Sequence, residues 1–286
     1  MEKKTKGYNL TIDINNFNLS YDDVGEGSIP IVFLHGYPFD KTMWQLQLDF
    51  LKSSYRLISC DIRGFGKSTD EESPLSIDLF GEDLIAFMDK LSIDKAIVCG
   101  LSMGGFIALN AVKRFPSRFE ALVLCDTQCI ADTAEAKHKR YKTIEEIGVN
   151  GVTNFNEGFI KRVFHKDSLT NKKELVAQLR NVVFSNSQHI ISQGLLALAE
   201  RSETCSTLNE ITIPTLIICG REDEVTPLTQ SEFMNNNIKG SILHVIDNAG
   251  HVSNLEQPHE FNKHLFSFLT ALGDVENLRG NQRSIK

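Results

Sequence analysis

Residues 95–105 read KAIVCGLSMGG, an apolar run that ends in the motif Gly100-Leu101-Ser102-Met103-Gly104 followed by Gly105. The next run, FIALNAVKRF (106–115), carries apolar residues three and four apart, the spacing of a helix. Ser102 therefore stands at a predicted strand-to-helix junction, with a glycine two positions away on either side. Small neighbours suit a sharp corner, and such a corner can lift a serine hydroxyl clear of the sheet. At ordinary glycine and serine abundance, about one chain of this size in ten carries G-x-S-x-G by chance. The rest of the sequence has to decide between a tight turn and a nucleophile.

Apolar, β-branched runs like 94–100 recur on both sides of it. They are IPIVFLHG (29–36), YRLISCDIRG (55–64), FEALVLCDT (119–127), IPTLIICGRED (213–223) and SILHVIDNAGH (241–251). Unbroken apolar runs suit strands buried on both faces. Gly, Asp or His stands at or near the end of each. Upstream, NLTIDINNFNLSYDDVGEG (9–27) alternates instead, and predicts two short strands around a turn at Asn15–Asn16. Helical spacing appears in MWQLQLDFLK (43–52), IDLFGEDLIAFMDKL (77–91) and HEFNKHLFSFLTAL (259–272). Strands alternating with helices predict an α/β fold, a mostly parallel sheet covered on both faces. In such sheets ligands bind beyond the carboxyl ends of the strands, so the polar run-ends collect on one rim.

The rhythm breaks between residues 129 and 208. Only helical stretches are found there: IKRVF (160–164), ELVAQLR (174–180) and ISQGLLALAE (191–200). A helical insertion at that point predicts a cap over the rim. The expected division is a core of 1–128 and 209–272, a cap of 129–208 and a polar C-terminal tail of 273–286.

The chain of 286 residues carries a formal net charge of −7, which argues against a general affinity for nucleic acid. No run is long and apolar enough to cross a membrane. The opening MEKKTKGYN has no apolar segment behind its basic residues, so no secretory signal is expected, and the cytoplasm is the expected location. Of six cysteines, Cys60, Cys99, Cys125 and Cys219 close apolar runs and are expected as buried, reduced thiols. Cys125 and Cys129 are too far apart for a C-x-x-C redox pair.

Two look-alikes fail on spacing. GFGKST (64–69) resembles the end of a phosphate-binding loop, but Asp61 stands where that loop needs its first glycine. HEFNKH (259–264) resembles a zinc helix, but the residue four after His259 is Lys263. No metal or dinucleotide pattern is present.

A neutral serine is a poor nucleophile without a base to take its proton and an acid to fix the tautomer of that base. Both stand on the predicted rim. His251 follows the run LHVIDNAG and Asp223 follows TLIICGRE. Glu222, Glu224 and Asp126 compete for the role of the acid. Asp126-Thr127 are alternatively a cap or pocket pair at the entry to the insertion.

The segments HGYP (35–38), DIRGFGKS (61–68), GLSMGG (100–105), GREDEVTP (220–227) and NAGHVSNLEQP (248–258) together resemble the α/β-hydrolase superfamily over nearly all of residues 8–271. The chain order Ser, Asp, His is also that of the superfamily. The resemblance implies an eight-stranded, mostly parallel sheet with a helical cap after the sixth strand. It implies Ser102 as nucleophile, Asp223 as orienting acid and His251 as base. It assigns the oxyanion hole to the backbone N–H groups of Tyr37 and Met103, and gives His35 a structural part in the loop. Haloalkane dehalogenases and epoxide hydrolases of this fold carry aspartate at the corner, so Ser102 implies acyl transfer rather than alkyl-enzyme chemistry. LVLCDT (122–127) and the stretch 194–227 liken the chain to 3-oxoadipate enol-lactonases. The expected partner is a small-molecule ester or lactone, and no cofactor is required. Cofactor-free perhydrolases, carbon–carbon bond hydrolases and triad-bearing small-molecule receptors share the pattern and remain alternatives. Phe155, Phe159, Phe164 and Phe184 are candidate walls of the acyl pocket, and Trp44 is a packing or wall residue.

Overall fold

The computed structural model describes residues 6–68 and 74–283, with no side-chain description from 274 onward. Thr69 of the GFGKST look-alike and the last residues of the tail, 284–286, lie outside the described residues.

The chain opens with the predicted hairpin. Strand β1 (Gly7–Ile14) pairs antiparallel with β2 (Phe17–Val24), and Ile14 faces Phe17 across the turn. Asn15 and Asn16 both take positive φ, 42° and 68°, which a two-residue hairpin turn demands and asparagine tolerates. The apolar runs become β3 (Ile31–Leu34), β4 (Leu57–Cys60), β5 (Ala96–Leu101), β6 (Phe119–Cys125), β7 (Thr215–Gly220) and β8 (Ile242–Ile246). The eight strands form one sheet in the order β1-β2-β4-β3-β5-β6-β7-β8. Strand β2 runs antiparallel to both neighbours, and all pairings from β4 to β8 are parallel. Apart from Glu120, every residue of β3 to β7 is buried, so these strands read as continuous apolar runs rather than alternating ones.

Helices α1 (Gln45–Leu51), α2 (Ile77–Lys90) and α3 (Met103–Arg114) cover the sheet in the first half. Ser76 starts α2 by accepting a hydrogen bond from the Leu79 N–H at 3.1 Å. Five helices then lie between β6 and β7: α4 (Ala134–Asn150), α5 (Thr153–Val163), α6 (Lys166–Asn171), α7 (Lys173–Ser185) and α8 (Gln188–Glu200). The core closes with α9 (Leu228–Asn237), α10 (Ser253–Glu256) and α11 (Pro258–Arg283). The chain turns to opposite sides of the sheet after β3 and after β5, which opens a crevice at their carboxyl ends.

Several elements depart from the sequence reading, and the short helices α6 and α10 are two that it did not contain. Helix α4 has no counterpart there because it buries only Ile147 and presents no apolar stripe. Helix α9 buries little more, Ser231 and Met234, and was equally silent. Helix α11 continues to Arg283, past the expected end at Leu272, because GDVENLRGNQR contains polarity but no proline to stop it.

Cys60, Cys99, Cys125 and Cys219 are buried free thiols, as expected. Cys129 and Cys205 are joined in a disulfide across 76 residues of sequence. The bridge ties the chain entering the insertion to the chain leaving it. Beside it the Thr204 N–H donates to the Cys129 carbonyl at 2.9 Å. Among the described residues, no helix is long and apolar enough to cross a membrane.

Candidate active site

Strand β5 delivers Ser102 to the crevice on a strained corner, with φ 54° and ψ −113°. Such a conformation persists only where its surroundings over-determine it. Here the Ser102 N–H donates to the Cys125 carbonyl at 3.0 Å, and Thr127 Oγ1 donates to the Ser102 carbonyl at 2.8 Å. The flanking glycines are required by closeness. A Cβ on Gly100 would lie 2.2 Å from the Gly104 carbonyl oxygen, and one on Gly104 would lie 2.2 Å from that of Leu34. Gly105 sits against Thr127 in the same way. Met103 is the first residue of α3, where a helix leaves its N–H groups without intrahelical partners.

The three residues singled out from the sequence meet at this corner. His251 Nε2 lies 2.8 Å from Ser102 Oγ, and His251 Nδ1 lies 2.8 Å from Asp223 Oδ2. All three side chains are buried, with Ser102 the most open at 8% exposure. Asp223 is held by its own loop. Val225 N–H and Thr226 N–H donate to Oδ1, and Thr226 Oγ1 donates to Oδ2. Burial alone would raise the Asp223 carboxyl, but the charge of His251 and the bonds from His251 and Thr226 outweigh it and hold it below the ordinary value. Ser102 is thereby connected through one imidazole to an ionised carboxylate.

The competing acids point elsewhere. Asp126 Oδ1 accepts from the Gly220 N–H at 2.7 Å and Oδ2 from Ser253 Oγ at 2.6 Å. It braces the loop of Asp223 against the helix that follows His251. Its carboxylate lies within 4.8 Å of that of Asp223. Burial first, and then the charge of Asp223, push the Asp126 carboxyl well above its ordinary value. Two buried carboxylates this close do not ionise alike, and the imidazole stands beside Asp223 while Asp126 is the one pushed up. Glu222 accepts from the Ala249 N–H, and Glu224 is exposed.

The loop after β3 forms the opposite wall. His35 is fully buried, its Nε2 accepting from the Ile62 N–H and its Nδ1–H donating to the Gly36 carbonyl, both at 2.9 Å. With both ring nitrogens bonded within the core, His35 steadies this loop. The Tyr37 N–H has no acceptor among the described residues. Lys41 and Asp61, both buried, pair at 3.0 Å just beyond the loop.

A cavity of about 530 Å³ opens over Ser102 and His251. Helices α4, α5 and α8 form much of its wall. Of the four candidate phenylalanines, Phe155 and Phe159 line it, whereas Phe164 and Phe184 pack away from it. Trp44 lies in the core between Phe33 and Phe261. The sequence reading missed the cationic side of the cavity. Lys139, Arg140 and Arg162 line it against one acid, Glu146. Arg140 shares Asp132 with Arg201, so one carboxylate serves two guanidiniums. Arg162 has no ion-pair partner among the described residues. Burial and the nearby charge of Arg140 both depress its pKa. The sequence reading contains no helix at Lys139 and Arg140, and it takes Arg162 only as part of the helical run IKRVF (160–164). The zinc look-alike forms no cluster among the described residues, and His264 instead stacks on His244 with ring centroids 3.8 Å apart.

The geometry has counterparts among known proteins. A family profile for the alpha/beta hydrolase fold matches residues 29–258. The chain is 31% identical to 3-oxoadipate enol-lactonase 2 of Acinetobacter baylyi (strain ATCC 33305 / BD413 / ADP1), covering 88% of this chain and 93% of the relative. It is 33% identical to 3-oxoadipate enol-lactonase 1 of the same organism, covering 90% and 91%. Among solved structures it resembles a malate-bound thermophilic esterase from Thermogutta terrifontis, with a TM-score of 0.86 and 30% identity over 92% of this chain and 97% of that one. It also resembles the enol-lactonase from Burkholderia xenovorans LB400, with a TM-score of 0.85 and 26% identity over 91% and 100%.

Proposed function

The chain belongs to the α/β-hydrolase family, on its esterase and lactonase branch, and from that premise we propose that it cleaves a small carboxylic ester or lactone through an acyl intermediate on Ser102. The observation that carries this reading is the unbroken line from Ser102 Oγ through His251 to Asp223, with 2.8 Å at both links, opening into the cavity. His251 Nε2 takes the Ser102 proton as Oγ attacks the acyl carbon. The N–H groups of Tyr37 and Met103 receive the oxygen on which charge develops. Collapse of the tetrahedral species expels the alcohol oxygen, which His251 protonates. In a lactone that alcohol stays attached to the acyl chain. Water then gives a proton to His251 and attacks the acyl-serine; the second tetrahedral species collapses, His251 returns the proton to Ser102 Oγ, and the acid is released. Asp223 keeps the imidazole in the tautomer these transfers need. The sequence of steps calls on no cofactor.

The substrate carries a carboxylate in this reading. Lys139, Arg140 and Arg162 give the cavity wall an excess of positive charge, on a chain whose net charge is −7. Two relatives are named for lactones of an oxo-acid, and a solved relative holds malate, also an acid. Residues 129–208 serve as the lid and Phe155 and Phe159 as its apolar lining. The cytoplasmic location rests on the sequence. The Cys129–Cys205 bridge, of a kind that persists in oxidising compartments, makes cell fractionation its test.

A screen of small esters and lactones at neutral pH, including acid-bearing ones, tests the proposal. Many turnovers per protein are expected. Ser102→Ala should lower kcat by several orders of magnitude, as loss of a triad nucleophile does. A variant that keeps its activity removes Ser102 from the mechanism. A single stoichiometric burst would instead make the protein a receptor for the ligand.

A further inference from the structure

The oxyanion loop is held from below by His35, and it is also held from above by the cap. The Tyr37 hydroxyl donates to the Ile191 carbonyl in α8 at 2.8 Å, a link across 154 residues. The Pro38 carbonyl accepts from Asn186 Nδ2, just beyond α7, at 2.8 Å across 148 residues. Two consecutive residues of the loop are therefore bonded to the cap, one to α8 and one to the link between α7 and α8. Packing follows the same line. The Tyr37 ring meets Phe155 and Phe159 of α5 at centroid distances of 6.5 and 6.1 Å. It also lies against the bare Cα of Gly194, where a Cβ would stand 2.4 Å from Tyr37 Cε2. Tyr37 is 4% exposed.

We propose that the cap is the positioning device of the oxyanion hole, acting through the Tyr37 hydroxyl and Asn186. This rests on the acyl-serine reading above, in which the Tyr37 N–H is an oxyanion donor. A close-packed contact transmits displacement rather than absorbing it. A cap that lifts away draws residues 37 and 38 with it, and the Tyr37 N–H leaves the position where charge develops. Misplacement by about 1 Å costs on the order of 10²-fold in rate. Substrate choice is then expressed in kcat. An acyl group that lets the cap seat is hydrolysed quickly. One that props the cap open binds and turns over slowly. Tyr37 and Asn186 are positioning residues, since neither side chain is asked to touch the reacting atoms.

The test compares Tyr37→Phe, Asn186→Ala and the double variant with the wild type and Ser102→Ala. Tyr37→Phe removes one bond between loop and cap; Asn186→Ala removes the other together with the bonds of Asn186 Nδ2 to the Val182 and Val183 carbonyls of α7; both leave the Tyr37 N–H in place. With a p-nitrophenyl ester, kcat is expected to fall about 10-fold for each single variant and further for the double, with KM within about 2-fold. A trifluoromethyl ketone forms a tetrahedral adduct with serine, so its Ki should rise by the factor by which kcat/KM falls. The Ki of the matching methyl ketone should stay constant. A change of packing alone would move KM and both inhibitors together, and that result overturns the proposal, as do variants with full kcat. Activity retained by Ser102→Ala is a different failure, which takes down the acyl-serine reading and this inference with it.

Discussion

At the scale of single residues, Asp126 and Asp223 are separated by their partners rather than by their type. Both are buried at strand ends, and their carboxylates lie within 4.8 Å of each other. Only Asp223 faces the imidazole, whereas Asp126 spans Gly220 and Ser253. Asp223→Asn should therefore reduce kcat by about 10⁴-fold, since an amide there favours the wrong tautomer of His251. Asp126→Asn keeps the shape of the group, leaves the partner of the imidazole in place and should cost far less, about 10-fold or below. Steady-state kinetics on both variants checks this, and the reverse order would move the acid to Asp126. These positions were legible because the corner, the acid and the base each close a run that reads as a strand, and their order is diagnostic. The hydrogen bonds that divide the two aspartates were not legible, since they join residues up to 127 apart.

At the scale of elements, the core strands announced themselves, and the cap did so only in part, through runs that fall on α5, α7 and α8. Strands buried on both faces must be apolar throughout, and that pattern survives in the sequence of β3 to β7. A cap helix rests on the molecule by a narrow stripe and shows water its remaining faces. In α4, Ile147 alone is buried, so the run AEAKHKRYK carries no helical periodicity of apolar residues. Yet α4 and the last turn of α5 supply the cations of the cavity, Lys139, Arg140 and Arg162. Arg162 is the one to change, because no carboxylate pairs with it among the described residues. Arg162→Gln should raise KM for the p-nitrophenyl monoester of a dicarboxylic acid about 10-fold, the order expected for one charged contact. KM for p-nitrophenyl butyrate should stay as it was. Equal changes for both esters would assign Arg162 to packing.

At the scale of the whole molecule, the proposed division of labour gives the chemistry to the sheet and the choice of substrate to the insertion. The carboxyl ends of β5, β7 and β8 bring Ser102, Asp223 and His251 within reach of one another, although 149 residues separate the first from the last. The insertion then touches both walls of the site. Its Asn186 and Ile191 hold the loop of Tyr37, and its Val163 carbonyl accepts the His251 N–H at 2.8 Å. Sequence periodicity located this insertion by the absence of strands, but it could not reveal what the insertion grips, because those contacts use backbone carbonyls that carry no signature of residue type. The Cys129–Cys205 bridge adds one more consequence, which concerns cut chains rather than intact ones. Both ends of the insertion are fastened at a single covalent point. A protease that clips one exposed bond between them, for example on the solvent side of α4, leaves two polypeptides still joined as one particle. Such a clipped protein should run as a single band on a denaturing gel, and separate into two only after a thiol reductant is added.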